Sequence, residues 1–547
     1  MLNQSTLTTD VVIIGGGATG CGILRDCALR GIRAILIERD DFASGTTGRN
    51  HGLLHSGARY AVTDHESASE CIQENKILKF IARHCIEDTE GLFITLPEDD
   101  MQYQRNFVDA CERAGIDTEI LTPQQTLAFE PSVNPTLQGA VKVPDGTLDP
   151  FRLCIANVLD AQAHGNQVLT KTEVIGLIES NGEIQGVHCR DKRSHHQFSI
   201  YAKHVVNAAG VWGQTICDYA NLGIKMFPAK GALLILDHRL NNVVINRCRK
   251  PADADILVPG DTISLIGTTS THVNYDEIEH LTVTAKEVDT LIEEGSKLAP
   301  RMRNARILRA YAGVRPLVSI NGDSDGREIS RGIVLVDHEL RDSMKGFTTI
   351  TGGKLMTYRL MAEMATDNIA QKLGVSAKCT TAQIPLPGSR ETRTKNTTIA
   401  QPVSVESAFY RHGENAALFA NKKSPVVCEC EMVTESEIRY AVQKLNVDNL
   451  VDLRRRTRVG MGPCQGELCS YRAAGLLSQY GRKPEFANQQ LVDVIEERWK
   501  GNRPICWGEA MRETEFNYWI YGGLFGLQST PPETAISLTA TEQEESL

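Results

Sequence analysis

At 547 residues the chain exceeds the ~250–300 residues at which a single hydrophobic core stops growing, so more than one domain is expected. Its 41% hydrophobic and 6% aromatic content suit a globular protein in water, and a formal charge of −10 argues against nucleic acid as a partner. No run of ~18 apolar residues is present and residues 1–10 are polar, so neither a transmembrane segment nor a secretory leader is expected.

In chain order, residues 10–38 form a compact β-α-β unit. Val11-Val12-Ile13-Ile14 is an apolar run fit for a buried parallel strand. Gly15-x-Gly17-x-x-Gly20 follows it and opens a helix over 22–29 that stops at Gly31. Ala34-Ile35-Leu36-Ile37 is the second strand, and Glu38 stands at its end. A glycine motif in that setting is a dinucleotide cradle: a tight turn at Gly15, close backbone approach at Gly17 and helix–strand packing at Gly20. The helix N-terminus supplies donors for a pyrophosphate. Glu38, eighteen residues after Gly20, can accept bonds from both ribose hydroxyls, which favours FAD or NAD over NADP.

A helical pattern follows over 67–84. Strand patterns recur at 141–143, 168–169, 174–178, 204–207, 233–236, 263–266 and 333–336. Two further glycine turns, Ala208-Ala209-Gly210 and Gly352-Gly353-Lys354, can approach the same nucleotide, and together they favour FAD over NAD. A helix is expected over 354–373. The fold class is therefore α/β, a Rossmann-like FAD-binding domain interleaved with a mainly antiparallel β substrate domain over 1–384. A linker is expected over 385–425, a small helical cysteine module over 426–480, a C-terminal segment over 481–527 and a disordered Ser/Thr/Glu-rich tail over 528–547.

The cysteine module carries Cys428-x-Cys430 and, thirty-three residues on, Cys464-x4-Cys469. With a reducing cytoplasm expected, clustered cysteines point to metal and not to disulfides. Two thiolate pairs suit a [2Fe–2S] cluster, with a zinc site or an empty one as alternatives. Thr434-Glu435-Ser436-Glu437 has capping-box spacing for a helix past the first pair, and the second pair leads into a helix from 470 to about 480. Arg454-Arg455-Arg456 is either a docking patch or a solvated helix face.

Gly45-Thr46-Thr47-Gly48-Arg49-Asn50-His51-Gly52-Leu53-Leu54-His55-Ser56-Gly57-Ala58-Arg59-Tyr60 resembles the flavin-adjacent loop of the FAD-dependent glycerol-3-phosphate dehydrogenase family. So do 312–317, around Arg315, and 352–359, around Lys354. With the cysteine module the chain resembles, over about 10–526, the large FAD-binding component of the bacterial anaerobic members.

That resemblance implies oxidation of sn-glycerol 3-phosphate to dihydroxyacetone phosphate. Thr46, Thr47, Ala209, Gly210, Gly352 and Gly353 would line the flavin. Arg315, Lys354 and Arg59 would line the substrate, with Arg315 foremost for the phosphate. His55 is the first candidate for the base and His51 its rival. Single-subunit relatives carry Lys-Gly-Ser-His where this chain has Lys230-Gly231-Ala232-Leu233, so their histidine is missing. The implied partners are a second flavoprotein-like subunit, with FMN as its cofactor, and an iron–sulfur subunit that anchors the complex to the cytoplasmic face of the inner membrane. Electrons would reach a quinone through them, in anaerobic respiration. Alternatives are another FAD-dependent 2-hydroxyacid or amine dehydrogenase, and a non-catalytic flavin electron-transfer subunit.

Overall fold

The computed structural model describes residues 7–318, 332–389, 424–481 and 485–527. Most of the expected 385–425 linker and all of the 528–547 tail lie outside the described residues. The chain divides into two compact units, Met1–Ala305 with Ala310–Ser424, and Arg306–Arg309 with Pro425–Leu547.

The elements that position the site in the first unit are β1 (Leu7–Ile14), α1 (Ala18–Leu29), β2 (Ala34–Ile37), α2 (His65–Ile81), α3 (Pro150–Ala163), β3 (Gln197–Asn207), β4 (Met226–Leu236), β5 (Ile307–Val318, in this unit from Ala310 on), β6 (Phe347–Gly352) and α4 (Tyr358–Leu373). Val11, Val12 and Ile13 are fully buried, and β1 pairs in parallel with both β2 and β3. This explains the unbroken apolar run, since both faces of the strand are covered. β6 extends the parallel set by pairing with β3, and Ile333–Asp337 closes that edge antiparallel to β6. At the start of β3 a hairpin, Thr172–Ser180 with Glu183–Asp191, adds antiparallel strands to this eight-stranded sheet.

The second sheet has nine strands, and all but one of its described pairings are antiparallel; Val244–Arg247 runs parallel to Gly91–Thr95. β5 joins it through β4. The sheet pair matches the expected interleaving of a nucleotide domain with a mainly antiparallel one.

α1 is longer than expected and begins at Ala18, with Gly17 as its N-cap. Glycines are tolerated in it because its neighbours are so close. A Cβ on Gly22 would stand 3.0 Å from Ala362 and from the Tyr358 ring, both on α4. On the α3 side, Arg25 meets Asp160 at 2.7 Å with both side chains almost fully buried. α4 starts later than expected, at Tyr358. Gly353 has φ +64°, Lys354 keeps an extended backbone, and Leu355–Thr357 forms a 3-10 turn before the helix.

The second unit contains a short hairpin, Val426–Cys428 with Val433–Thr434, followed by α5 (Glu435–Lys444), α6 (Leu450–Thr457), α7 (Ser470–Tyr480), α8 (Glu485–Asn502) and α9 (Gly508–Tyr518). Its core is built from Val427, Ile438, Leu453 and Leu477, with Leu491 and Tyr521 added from beyond residue 480. Fully burying such side chains stabilises by ~1.5–3 kcal/mol each, relative to leaving them exposed. Among the described residues no helix is long and apolar enough to cross a membrane.

Candidate active site and cysteine module

The glycine turn lies at the C-terminal end of β1, between the ends of β2 and β3, where parallel sheets bind nucleotides. Gly15 has φ +112°, and a Cβ there would lie 2.6 Å from the Ala208 carbonyl oxygen. A Cβ on Gly20 would overlap the Gly15 carbonyl oxygen at 1.9 Å. Glu38 is buried; its Oε2 accepts from the Gly16 amide at 2.7 Å and its Oε1 from the Asp40 amide at 2.8 Å. Burial pushes this carboxyl up, against the pull of those two amides. The carboxylate is thus fixed beside the turn, and each oxygen keeps lone-pair capacity for a ribose hydroxyl.

Thr47 faces the turn, and both Thr46 and Thr47 bind protein. Thr47 Oγ1 accepts from the Ala18 amide at 3.1 Å, at the start of α1, and lies 3.1 Å from where a Cβ on Gly17 would stand. Thr46 Oγ1 donates to the Val314 carbonyl at 2.6 Å. Gly210, Gly352 and Gly353 all have positive φ. Gly353 is fixed against Met361, which also receives a contact from the Thr19 hydroxyl at 3.7 Å. The Ala208–Ala209 backbone, Gly353 and Thr47 therefore close around the N-terminal end of α1. A turn packed so tightly that Gly15 and Gly20 leave no room for a side chain fits the close backbone approach of an extended dinucleotide such as FAD.

Beside it the structure brings together His51, His55, Tyr60 and Lys354. The His55 ring is 6.2 Å from that of His51 and 5.5 Å from that of Tyr60, and Lys354 Nζ lies 4.7 Å from the Tyr60 ring centre. His51 Nδ1 accepts from the Leu53 amide at 3.2 Å. The support comes from residues without a sequence signal. Asn75 on α2 donates to the Leu54, His55 and Pro144 carbonyls at 3.4, 3.1 and 3.1 Å. Asp145, buried and with its carboxyl raised by that burial, accepts from the Ser56 amide at 2.6 Å. α2 also fixes the Lys354 turn, because buried Glu74 holds Arg359 through two bonds, of 2.5 and 2.8 Å.

Arg315 and Arg59 are placed differently. Arg315 sits on β5, which runs against the same loop. The Tyr311 hydroxyl donates to the Asn50 carbonyl at 2.8 Å, and a Cβ on Gly313 would overlap the Arg49 carbonyl oxygen at 2.2 Å. Its guanidinium donates to the Thr268 hydroxyl, the Thr269 carbonyl at 3.0 Å and the Ser270 hydroxyl at 3.4 Å. It also packs on Gly231, where a Cβ would meet it at 2.6 Å. Arg59 turns to Asp255 at 3.5 Å and the Ala252 carbonyl at 3.3 Å. Leu233, at the position of the missing histidine, is buried, and Lys230 is spent on Glu287 at 2.9 Å.

In the second unit the four cysteines are free thiols that act on one another: Cys469 on both Cys428 and Cys464, and Cys430 on Cys464. The neighbouring Cys469 thiol lowers Cys464 to about 5 and Cys428 to about 7 and is itself raised, while burial raises Cys430 to about 11. Backbone amides also point at sulfur, those of Gly460 and Glu431 at Cys428 and those of Gly466 and Leu468 at Cys464. A Cβ on Gly462 would overlap Cys430 Cβ at 2.3 Å. Among the described residues no three His, Cys, Asp or Glu converge as they would on one ion. Two facing thiol pairs with amides directed at sulfur fit a two-iron cluster, which takes its thiolates from four cysteines. Thr434 caps α5 by accepting from the Glu437 amide at 3.3 Å, and α7 starts directly after Cys469. In the Arg454–Arg456 run, Arg456 is buried and Arg455 pairs with Asp452 at 2.7 Å, so the run is not a uniformly solvated face.

Residues 10–359 match the family described as FAD dependent oxidoreductase, and residues 426–479 the BFD-like [2Fe-2S] binding domain. The chain is thus a flavoprotein oxidoreductase with an appended iron–sulfur domain. Over 96% of its length and 99% of the other, it is 60% identical to one of the subunits of the anaerobic glycerol-3-phosphate dehydrogenase of Escherichia coli K12. It is 57% identical to the subunit of the same name from Haemophilus influenzae, over 99% of this chain and 97% of that one. It belongs to this family of anaerobic glycerol-3-phosphate dehydrogenase subunits. The solved structure of glycerol-3-phosphate dehydrogenase from Bacillus halodurans complexed with FAD shares the fold, with a TM-score of 0.67 at 24% identity over 91% of this chain and 96% of that one.

Proposed function

We propose that this chain oxidises sn-glycerol 3-phosphate to dihydroxyacetone phosphate and passes the electrons to a membrane quinone through partner subunits. The observation that carries the reading is the unbroken likeness, through both units, to proteins named as one subunit of the anaerobic form of that dehydrogenase. Bound FAD takes up a hydride and a bound [2Fe–2S] cluster takes up single electrons, which is the chemistry such an exit needs.

The residues divide the remaining work. Glu38 and the turns at Gly15–Gly20, Ala209–Gly210 and Gly352–Gly353 bind the dinucleotide. His55 takes the proton of the C2 hydroxyl. His51 is less suited, because an Nδ1 that accepts from the Leu53 amide obliges the neutral ring to carry its proton on Nε2, where it donates. Lys354 stabilises negative charge developing on the C2 oxygen. Arg315 grips the phosphate, with the Thr268 and Ser270 hydroxyls, now its partners, able to donate to phosphate oxygens as well. Arg59, held by Asp255, contributes charge from the rim.

The partners are the second flavoprotein-like subunit, which holds FMN, and the iron–sulfur subunit that anchors the assembly to the cytoplasmic face of the membrane. Support for an assembly is that the relatives are themselves named as one subunit of an enzyme. Turnover of the isolated chain with sn-glycerol 3-phosphate and an artificial dye tests the reading. Dihydroxyacetone phosphate is expected to form. FAD-loaded chain that forms none would refute it.

A further inference from the structure

A cavity in the second unit is lined by Arg454 and Arg498, by Gln465 and Ser470, and by the backbone of Gly460 and Gly466. The two glycines connect it to the cysteines, because the Gly460 amide is directed at Cys428 and the Gly466 amide at Cys464, each favouring the thiolate. The cavity therefore lies one peptide layer behind the sulfurs.

Arg309 also lines the cavity, and the cations in and around it are unequally compensated. Arg455 pairs with Asp452 at 2.7 Å, Arg458 with Glu431 at 2.7 Å and Arg498 with Glu513 at 3.3 Å. The side chain of Arg454, partly buried, makes no hydrogen bond or ion pair among the described residues. Glu497 attracts it, but Glu497 also stands 3.7 Å from Arg309 and 3.6 Å from Lys500, and Arg309, Arg455 and Arg458 repel Arg454. Burial and that repulsion bring its guanidinium down to about 9. A charge held this way is costly unless another charge answers it.

A four-thiolate cluster provides that answer. One electron, supplied by a reductant and arriving without a proton, makes the cluster one unit more negative. A fixed cation behind the ligand amides favours the reduced form over the oxidised one. We infer that Arg454 is the counter-charge that raises the reduction potential of the cysteine module, acting from behind the Gly460 and Gly466 amides. The inference rests on the reading that Cys428, Cys430, Cys464 and Cys469 hold a [2Fe–2S] cluster.

The test is a potentiometric titration of the full chain carrying both cofactors, with the reduced cluster followed by electron paramagnetic resonance. A unit charge near the cluster, in an effective dielectric of about 20, changes the reduction equilibrium on the order of tenfold, which is ~59 mV for one electron. Arg454→Gln is expected to lower the midpoint by about that amount, and Arg454→Lys to leave it near the wild-type value. A Gln variant at the wild-type potential overturns the inference. So does a Lys variant that falls as far as Gln, because packing and not charge would then be responsible. If Gln does not assemble, Arg454→Met serves as the neutral variant. Loss of iron and sulfide from both neutral variants, with retention in Lys, overturns the inference by making the residue structural. Iron and acid-labile sulfide are measured first in the wild type; their absence would show that the cluster reading itself has failed.

Discussion

Two imidazoles stand 6.2 Å apart in the loop at 45–60, and what separates them is where each can carry a proton. His51 has Nδ1 committed to the Leu53 amide, whereas the His55 ring faces Tyr60, next to Lys354. In the proposed reaction His55→Ala should keep its flavin and slow flavin reduction by glycerol 3-phosphate by ~10²–10⁴-fold, the usual worth of a general base. His51→Ala should lose much less. Anaerobic stopped-flow absorbance compares the two, and equal losses would remove the distinction. Arg315→Ala should raise KM by ~10- to ~150-fold, since a charged hydrogen bond is worth roughly 1.5–3 kcal/mol, with flavin content unchanged. An unaltered KM would take Arg315 out of the phosphate site. The glycines and Glu38 were legible because a nucleotide's demands on the backbone appear as glycine at fixed spacing. Asn75 and Asp145 were not. They act on the loop from 20 residues, at His55, and 89 residues, at Ser56, away in sequence, and an isolated Asn or Asp gives no local sign of that.

β1 and β2 were legible as strands because parallel burial makes them continuously apolar, but β5 was not. Gly313 and Pro316 interrupt its pattern. Among the described residues it pairs only with β4, and that edge position tolerates the proline. The later start of α4 has a similar cause, because Lys354 must stay extended to follow the two positive-φ glycines. Packing of α1 against its own turn predicts that Gly20→Ala abolishes flavin retention, since the new methyl would sit 1.9 Å from the Gly15 carbonyl oxygen. Recovery of this variant with full FAD absorbance would contradict that packing. The central sheet also carries a pH signature. His204 on β3 bonds to Thr348 on β6 at 2.9 Å, and burial lowers it from 6.5 to about 4. The unfolded chain then binds the extra proton first. The stability this neutral histidine confers is complete above pH 6.5, declines as pH falls to about 4 and changes no further below that. The loss is about 3 kcal/mol at 1.36 kcal/mol per unit. Denaturant unfolding across this window should show a shallower decline in His204→Gln than in the wild type.

The two units separate two kinds of redox chemistry, one built on glycine turns and the other on thiols. The cysteine spacing made the second legible from sequence, but the amides directed at sulfur and the uneven pairing of the arginines needed coordinates. If oxidation belongs to the first unit and electron exit to the second, Cys428→Ser with Cys464→Ser should lose iron and sulfide. The same variant should still have its FAD reduced by glycerol 3-phosphate at the wild-type rate, and should fail to pass electrons to membranes holding the partner subunits. Wild-type transfer to those membranes by the double variant would place the cysteines outside the path. The measurement that bears most directly on the function is anaerobic mixing of sn-glycerol 3-phosphate with the isolated FAD-loaded chain, with flavin absorbance and dihydroxyacetone phosphate followed together. The proposed function predicts bleaching of the flavin with stoichiometric ketone phosphate. Flavin that stays oxidised with glycerol 3-phosphate but is bleached by a 2-hydroxyacid or an amine would contradict it.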